Sequence, residues 1–330
     1  MTFVYSKLIL TVKKELARFI PVLVIPLIFN IIPYSLAIPM VQSQETNNFN
    51  FAVAGDFGCD IEAKKTIDII KSKDPELIIA LGDLAYKRDP QCWFDMISPL
   101  DTNNKFKISF GEHDVTRGNA TYQLYLNHFN LTKPYYSFDY GNIHFLVMAT
   151  AKNILIPYNY TSDQYQFVNT DLAKAAHNKK INWIIVNSFR TFYSSNTTHP
   201  GLDVLQDVYH PLFDKYHVDI VFQAHNHNYQ RTFPLSYNTT RQYTPIITDR
   251  ENQDYRDIKH GEIFMTAGTG GADFYNFTGK SPYVVKQFLR HGFLNVESKD
   301  NGSKLSVVFY DNNGTICDQM SISKSLGQVP

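Results

Sequence analysis

The chain has 330 residues, enough for one large or two ordinary domains around a substantial core. Its 31 acidic and 31 basic side chains cancel, which removes a global electrostatic case for binding nucleic acid. With 24 Phe and 21 Tyr, and no block of like charge or repeat of fixed period, the main body does not have the composition of a disordered chain.

The N-terminus stands apart. Lys7, Lys13, Lys14 and Arg18 are balanced by one acid, Glu15, ahead of an apolar stretch from Phe19 to Met40. Positive charge before an apolar run predicts export of the downstream chain. Small residues at Ser35 and Ala37, or at Val41 and Ser43, would suit a signal-peptidase cut, and the stretch is also long enough to span a bilayer. Residues 1–43 are therefore read as a signal peptide or a membrane anchor. Pro21, Pro26, Pro33 and Pro39 argue against a buried core helix there. A polar linker covers 44–48, and residues 49–320 are expected to form one domain.

That domain begins with a strand from Phe49 to Ala54, with Phe49, Phe51 and Val53 at alternate positions, ending at Gly55-Asp56. Ile61 to Lys73 carries Ile61, Ile67, Ile69 and Ile70 at helical spacing. Leu77 to Leu81 runs into Gly82-Asp83, and Phe106 to Phe110 runs into Gly111-Glu112-His113-Asp114. Ile181 to Val186 precedes Asn187-Ser188-Phe189, and Val218 to Phe222 leads to His225 and His227. Glu262 to Thr266, Gly292 to Glu297 and Leu305 to Tyr310 read as antiparallel strands with Asn-Gly turns, closing a second sheet of the same domain. Strands alternating with helices predict an α/β core. The acids and histidines sit where apolar strands run out, and open α/β sheets bind ligands there.

Five segments carry the chemistry: Gly55-Asp56-Phe57-Gly58, Gly82-Asp83-Leu84-Ala85-Tyr86, Gly111-Glu112-His113-Asp114, Val186 to Tyr193, and Ala224-His225-Asn226-His227-Asn228-Tyr229. A lone Gly-Asp after a strand is more often a turn than a ligand, and a lone His-x-His is more often surface or core. Their joint occurrence, in this order and at strand ends, reverses those odds.

Over roughly residues 50 to 315 this order resembles the purple acid phosphatases of the calcineurin-like superfamily. Their pattern is Asp-x-Gly, Gly-Asp-x-x-Tyr, Gly-Asn-His-Asp/Glu, Val-x-x-His and Gly-His-x-His. The resemblance implies a four-layer α/β/β/α sandwich with two mixed sheets, and a two-metal centre hydrolysing a phosphate ester. Asp56, Asp83, Tyr86 and His227 would hold the first metal, expected to be iron, because carboxylates and a phenolate are hard ligands. Asp83 would bridge to a divalent second metal such as Mn, Zn or Fe, held also by Glu112, His225 and position 189. His113 would bind substrate or act as general acid, oriented by Asp114. His128, His144, His177, His210, His217, His260 and His291 show no comparable pattern and are read as structural or exposed.

Three departures from the pattern cluster on the second metal. Glu112 stands for the usual Asn, Phe189 for the usual His, and Ala224 for a Gly. Phenylalanine ligates nothing, so the second site is expected to be weak unless His199 or Asn187 substitutes. Cys59 and Cys92 each follow a motif by a few residues, which pairs them and leaves Cys317 free; the alternative is three reduced thiols. Sequons at Asn119, Asn130, Asn159, Asn196, Asn238, Asn276, Asn301 and Asn313 fit a glycosylated exterior. The expectation is an exported phosphoesterase acting on monoesters. The alternatives are a non-catalytic metal- or ligand-binding surface glycoprotein on the same fold, and a phosphodiesterase or nucleotide hydrolase.

Overall fold

The structure is a computed structural model that describes residues 48–116, 119–241 and 243–325; the expected signal or anchor segment lies outside the described residues. The chain runs through β1 (Phe49–Ala54), α1 (Ile61–Ser72), β2 (Leu77–Ala80), α2 (Gln91–Ile97), β3 (Phe106–Ile108), α3 (Glu112–Thr116) and α4 (Asn119–His128). A hairpin of β4 (Tyr136–Tyr140) and β5 (Ile143–Val147) leads to α5 (Asp163–His177), β6 (Trp183–Asn187), α6 (Asp203–Tyr216) and β7 (Ile220–Gln223). The remainder is strand: β8 (Tyr229–Ser236), β9 (Ile246–Ile247), β10 (Asp254–Arg256), β11 (Glu262–Ala267), β12 (Val284–Phe288), β13 (Gly292–Lys299), β14 (Lys304–Asp311) and β15 (Ile316–Ser323).

Among the described residues these strands form two mixed sheets. The first has the order β10-β15-β14-β13-β1-β2-β3, with β1, β2 and β3 parallel and β13 antiparallel to β1. The second has the order β12-β8-β11-β7-β6-β5-β4, with β9 on β8, and its inner strands β5, β6, β7 and β11 are parallel. Side-chain alternation sets the layers. In β1, Phe51 and Val53 face the space between the sheets, where they join Phe145, Ile185 and Phe222. Ala52 and Ala54 face the other way, towards Ile67 and Ile70 of α1 and Trp93 of α2. In β6, Ile184 and Val186 turn outward to Val168 and Leu172 of α5 and Leu205 and Phe213 of α6. Three apolar interfaces thus stack four layers, helix, sheet, sheet and helix, as the resemblance implied.

Helices α1 and α5 start where the sequence supplies side-chain caps. Asp60 accepts the backbone N–H groups of Glu62 and Ala63 at 3.1 and 3.0 Å, and Ser162 accepts that of Tyr165 at 3.1 Å. Such caps contribute about 1 kcal/mol each.

The C-terminal strands require a correction. They do not close one second sheet together: β13 and β14 extend the first sheet beside β1, whereas β11 is inserted into the second, parallel to β7 and antiparallel to β8. The Asn-Gly turns are in place: Asn301, at φ +57°, and Gly302 lie between β13 and β14, and Asn313-Gly314 lies between β14 and β15.

Candidate metal centre

Both sheets deliver their chemistry at the carboxyl ends of parallel strands. Asp56 follows β1, Asp83 follows β2 and Glu112 follows β3; Phe189 follows β6, His225 follows β7, and His227 stands just ahead of β8. Asp56, Asp83, Tyr86 and His225 take left-handed backbone, at φ +55°, +50°, +55° and +67°. That conformation costs an L-residue on the order of 1 kcal/mol, and Asp and His tolerate it better than most. The loops after β1 and β2 steady each other: the N–H groups of Asp56, Phe57 and Gly58 donate to the carbonyls of Gly82, Asp83 and Leu84 at 2.9, 3.1 and 2.9 Å. Gly111 is demanded by proximity, because a Cβ there would lie 2.2 Å from Asp83 Oδ1.

Asp56, Tyr86 and His227 converge. Tyr86 Oη lies 3.1 Å from Asp56 Oδ1 and 2.9 Å from His227 Nε2, and His227 Nε2 lies 3.6 Å from Asp56 Oδ1. Atoms bound to one ion at 2.0–2.2 Å are separated by roughly 2.8–3.6 Å, so the three fit one metal. The Asp273 carbonyl lies 2.7 Å from His227 Nδ1, and the Tyr275 ring stacks on His227 at 4.0 Å. Asp56 Oδ2 accepts the His225 N–H at 2.9 Å, and Asp83 Oδ1 accepts the His113 N–H at 2.7 Å. Burial pushes the Asp56 carboxyl up to about 7, and burial with the nearby Asp56 and Asp114 charges pushes Asp83 up as well. Burial lowers His227, and it lowers His225 to about 2 with help from His199 and Arg190. The protein's own groups leave the carboxylates short of positive charge and the imidazoles neutral, which is the form that ligates.

The residues expected around a second metal do not fit one. Arg190 donates from Nε to Glu112 Oε1 at 2.8 Å, and its Nη2 lies 2.5 Å from the same oxygen. Phe189 is wholly buried, with its ring 4.9 Å from that of His225. His199 stacks face to face on His225 at 3.9 Å, and Asn187 turns its amide to Leu146 O. Among the described residues, the His, Asp and Glu trio whose ligating atoms lie within 4.8 Å of one another is His210, Asp214 and Glu262, on α6 and β11. There burial lowers His210 to about 4 and drives the Glu262 carboxyl upward, so those two side chains are held neutral in the core.

His113 is exposed, its ring 4.6 Å from that of Tyr86. Asp114, expected to orient that ring, is employed differently. Its oxygens accept the N–H groups of Asp83, Leu84 and Gly111 at 2.9, 2.9 and 2.8 Å, and Tyr125 adds a side-chain bond. Those donors fill the acceptor positions a carboxylate offers. Asp114 therefore locks the Asp83 loop against the start of α3. The Cys59–Cys92 disulfide is formed, with Cα atoms 6.0 Å apart, and Cys317 is free. A cleft of about 460 Å³ opens beside Tyr86 and His227, lined also by Tyr275 and Lys87. Arg190, Tyr275 and the Asp273 carbonyl are site groups to which the sequence assigned no role. The cue for Arg190 was its place beside Phe189; for the other two the sequence carried none.

Residues 49–229 match the family of calcineurin-like phosphoesterases. Purple acid phosphatase 21 of Arabidopsis thaliana is 30% identical over 205 residues, 56% of this chain and 45% of its own length. A second Arabidopsis protein, named "Probable inactive purple acid phosphatase 1", is 26% identical over 297 residues, 80% of this chain and 46% of its own length. The chain spans about half the length of the curated relatives it matches. Among solved structures, the purple acid phosphatase from yellow lupin (Lupinus luteus) seeds aligns with a TM-score of 0.70 at 21% identity, covering 86% of this chain and 55% of that one. The anchor in the inner membrane complex of Plasmodium aligns at 0.63 and 18% identity, covering 86% and 90%. At such identities the two structures speak for the fold. The matched segment contains every candidate ligand from Asp56 to His227, and the chain belongs to the calcineurin-like phosphoesterases, in the manner of the purple acid phosphatases.

Proposed function

We propose that this protein is an exported, metal-dependent hydrolase of phosphate monoesters, built around a metal held by Asp56, Asp83, Tyr86 and His227. The observation that carries the reading is the triangle of Asp56 Oδ1, Tyr86 Oη and His227 Nε2, with sides of 3.1, 2.9 and 3.6 Å. Oxygen donors with a phenolate suit iron. Such a metal would supply Lewis-acid stabilisation of a phosphoryl oxygen and lower the pKa of water. The cleft beside Tyr86 and His227 gives the ester's organic part a place between Tyr275 and Lys87. His113, exposed and with its ring 4.6 Å from that of Tyr86, would give the leaving alcohol its proton.

Export is supported by the Cys59–Cys92 bridge, since disulfides persist in oxidising compartments. Asn130, Asn159, Asn196, Asn276, Asn301 and Asn313 are exposed and Asn238 is half-buried, so sugars have access. Residues 1–43 would be the signal or anchor and 49–320 the catalytic domain. The test is iron loading of the purified protein, its visible spectrum, and turnover of an aryl phosphate against a diester and a nucleotide. Expected are a phenolate-to-metal band that disappears in Tyr86→Phe, and faster turnover of the monoester. A loaded protein that leaves all three esters intact would overturn the proposal.

That same result would favour a second reading, a glycoprotein that binds metal without turnover. One observation favours it: Phe189 stands where the resemblance implies a ligand.

A further inference from the structure

Glu112 and Arg190 form an ion pair between the two loops that should have shared a second metal. Glu112 sits between Gly111 and His113, both of which touch Asp83: Gly111 by the proximity that forbids a Cβ, and His113 by its N–H bond to Asp83 Oδ1 at 2.7 Å. Arg190 adjoins Phe189, whose Cδ2 would lie 2.8 Å from a Cβ on Gly82 and whose ring is 4.9 Å from His225. The guanidinium is thus held on Glu112, next to the residues that touch Asp83, and its charge reaches His225. Its backbone is fixed there. The N–H groups of Phe189 and Arg190 both donate to Thr150 Oγ1, at 3.1 and 2.9 Å, and Ser188 Oγ donates to Arg190 O at 2.8 Å.

The departures at 112 and 189 and the arginine at 190 then explain each other. Where the resemblance implies a divalent ion with a neutral Asn and an imidazole, this chain has a guanidinium with a carboxylate and the ring of Phe189. Both contacts of Arg190 with Glu112 converge on one oxygen, Oε1, and a guanidinium has five donors in a planar fork. That fork matches the oxygens of a phosphate. Side-chain exposure of 20% leaves part of it open to solvent.

We propose that the Arg190 guanidinium, tethered by Glu112, takes the place of the second metal and binds the phosphoryl oxygens of the ester, so that the centre works with one metal. This rests on the phosphoesterase reading above. The experiment measures metal per chain and, by calorimetry, the affinity of the metal-loaded protein for inorganic phosphate. Wild type is expected to hold one metal. Arg190→Ala is expected to keep that metal and bind phosphate at least tenfold more weakly, and Arg190→Lys to recover part of the loss, a pattern a merely structural arginine would not give. A Phe189→His, Arg190→Ala, Glu112→Asn triple variant is expected to move towards two metals. Two tightly held metals in wild type, or unchanged phosphate affinity in a folded Arg190→Ala, would overturn the proposal while leaving the phosphoesterase reading intact. A wild type that takes up no metal at all would instead remove the reading beneath it.

Discussion

At the scale of single residues, Asp114 shows how a motif position can hold the backbone of a site together. Its oxygens accept the backbone N–H groups of Asp83, Leu84 and Gly111, and the residue is 1% exposed. Asp114→Asn would turn an amide N–H₂ towards backbone donors. A loss of about 3 kcal/mol is expected, since each unsatisfied buried donor costs about 1–3 kcal/mol. Urea melts of the metal-free protein check this; an unchanged midpoint with lost turnover would mean that Asp114 acts on His113 after all. Most residues at the centre were legible because each ends an apolar run, and a run that stops at Gly-Asp or before His-x-His announces itself in one dimension. Arg190 was quoted within its segment but had no meaning until Glu112 was seen 2.8 Å away. Tyr275 stacks on His227 from a loop far along the chain, a contact no local pattern encodes.

At the scale of elements, the strands that feed the site lay within two residues of their expected bounds, because buried parallel strands read as short apolar runs between Gly, Pro and Asp. Sheet membership was another matter. Alternation in Gly292–Lys299 is satisfied equally on either sheet, and the choice of β1 as partner is made by contacts across the molecule. Strand β8 escaped notice because Gln230 and Arg231 look like surface and Pro234 interrupts the run; in fact Arg231 is buried against Asp318 of β15 at 2.6 and 3.0 Å. Ile61 counted towards a helical stripe, yet it is 63% exposed, since it begins α1 before the helix meets the sheet. The disulfide joins the loop after β1 to α2, spanning the segment that bears Asp83 and Tyr86. Reduction is therefore expected to release metal below the temperature at which the fold melts. Metal retention and far-ultraviolet melts with and without reductant would show it, and metal retained by the reduced protein would contradict it.

At the scale of the whole molecule, the buried carboxyl groups at the centre tie stability to pH and metal together. Burial raises Asp56 and Asp114 to about 7, above the value near 4 expected of an unfolded chain. Between those values the folded metal-free protein holds more protons than the unfolded one. This contribution is complete at acid pH and is lost as pH rises through 7. Metal binding demands the opposite state, ionised Asp56 and neutral His227, and so displaces protons. The gain in melting temperature on adding metal should consequently be several degrees larger at pH 7.5 than at pH 5. Calorimetric scans with and without metal at the two pH values provide the check, and equal gains would argue that Asp56 is not a ligand.

The bond from the His225 N–H to Asp56 spans 169 residues, and that from Tyr86 to His227 spans 141. A ribosome adding about 5–20 residues per second needs on the order of ten seconds to cross such a gap. Throughout that interval the nascent chain displays its carboxylates and phenol with no imidazole to complete them. On the proposed ligand set, metal capture would wait for the birth of β7 and β8, and a chain exported unfolded would have to find its metal on the far side of the membrane.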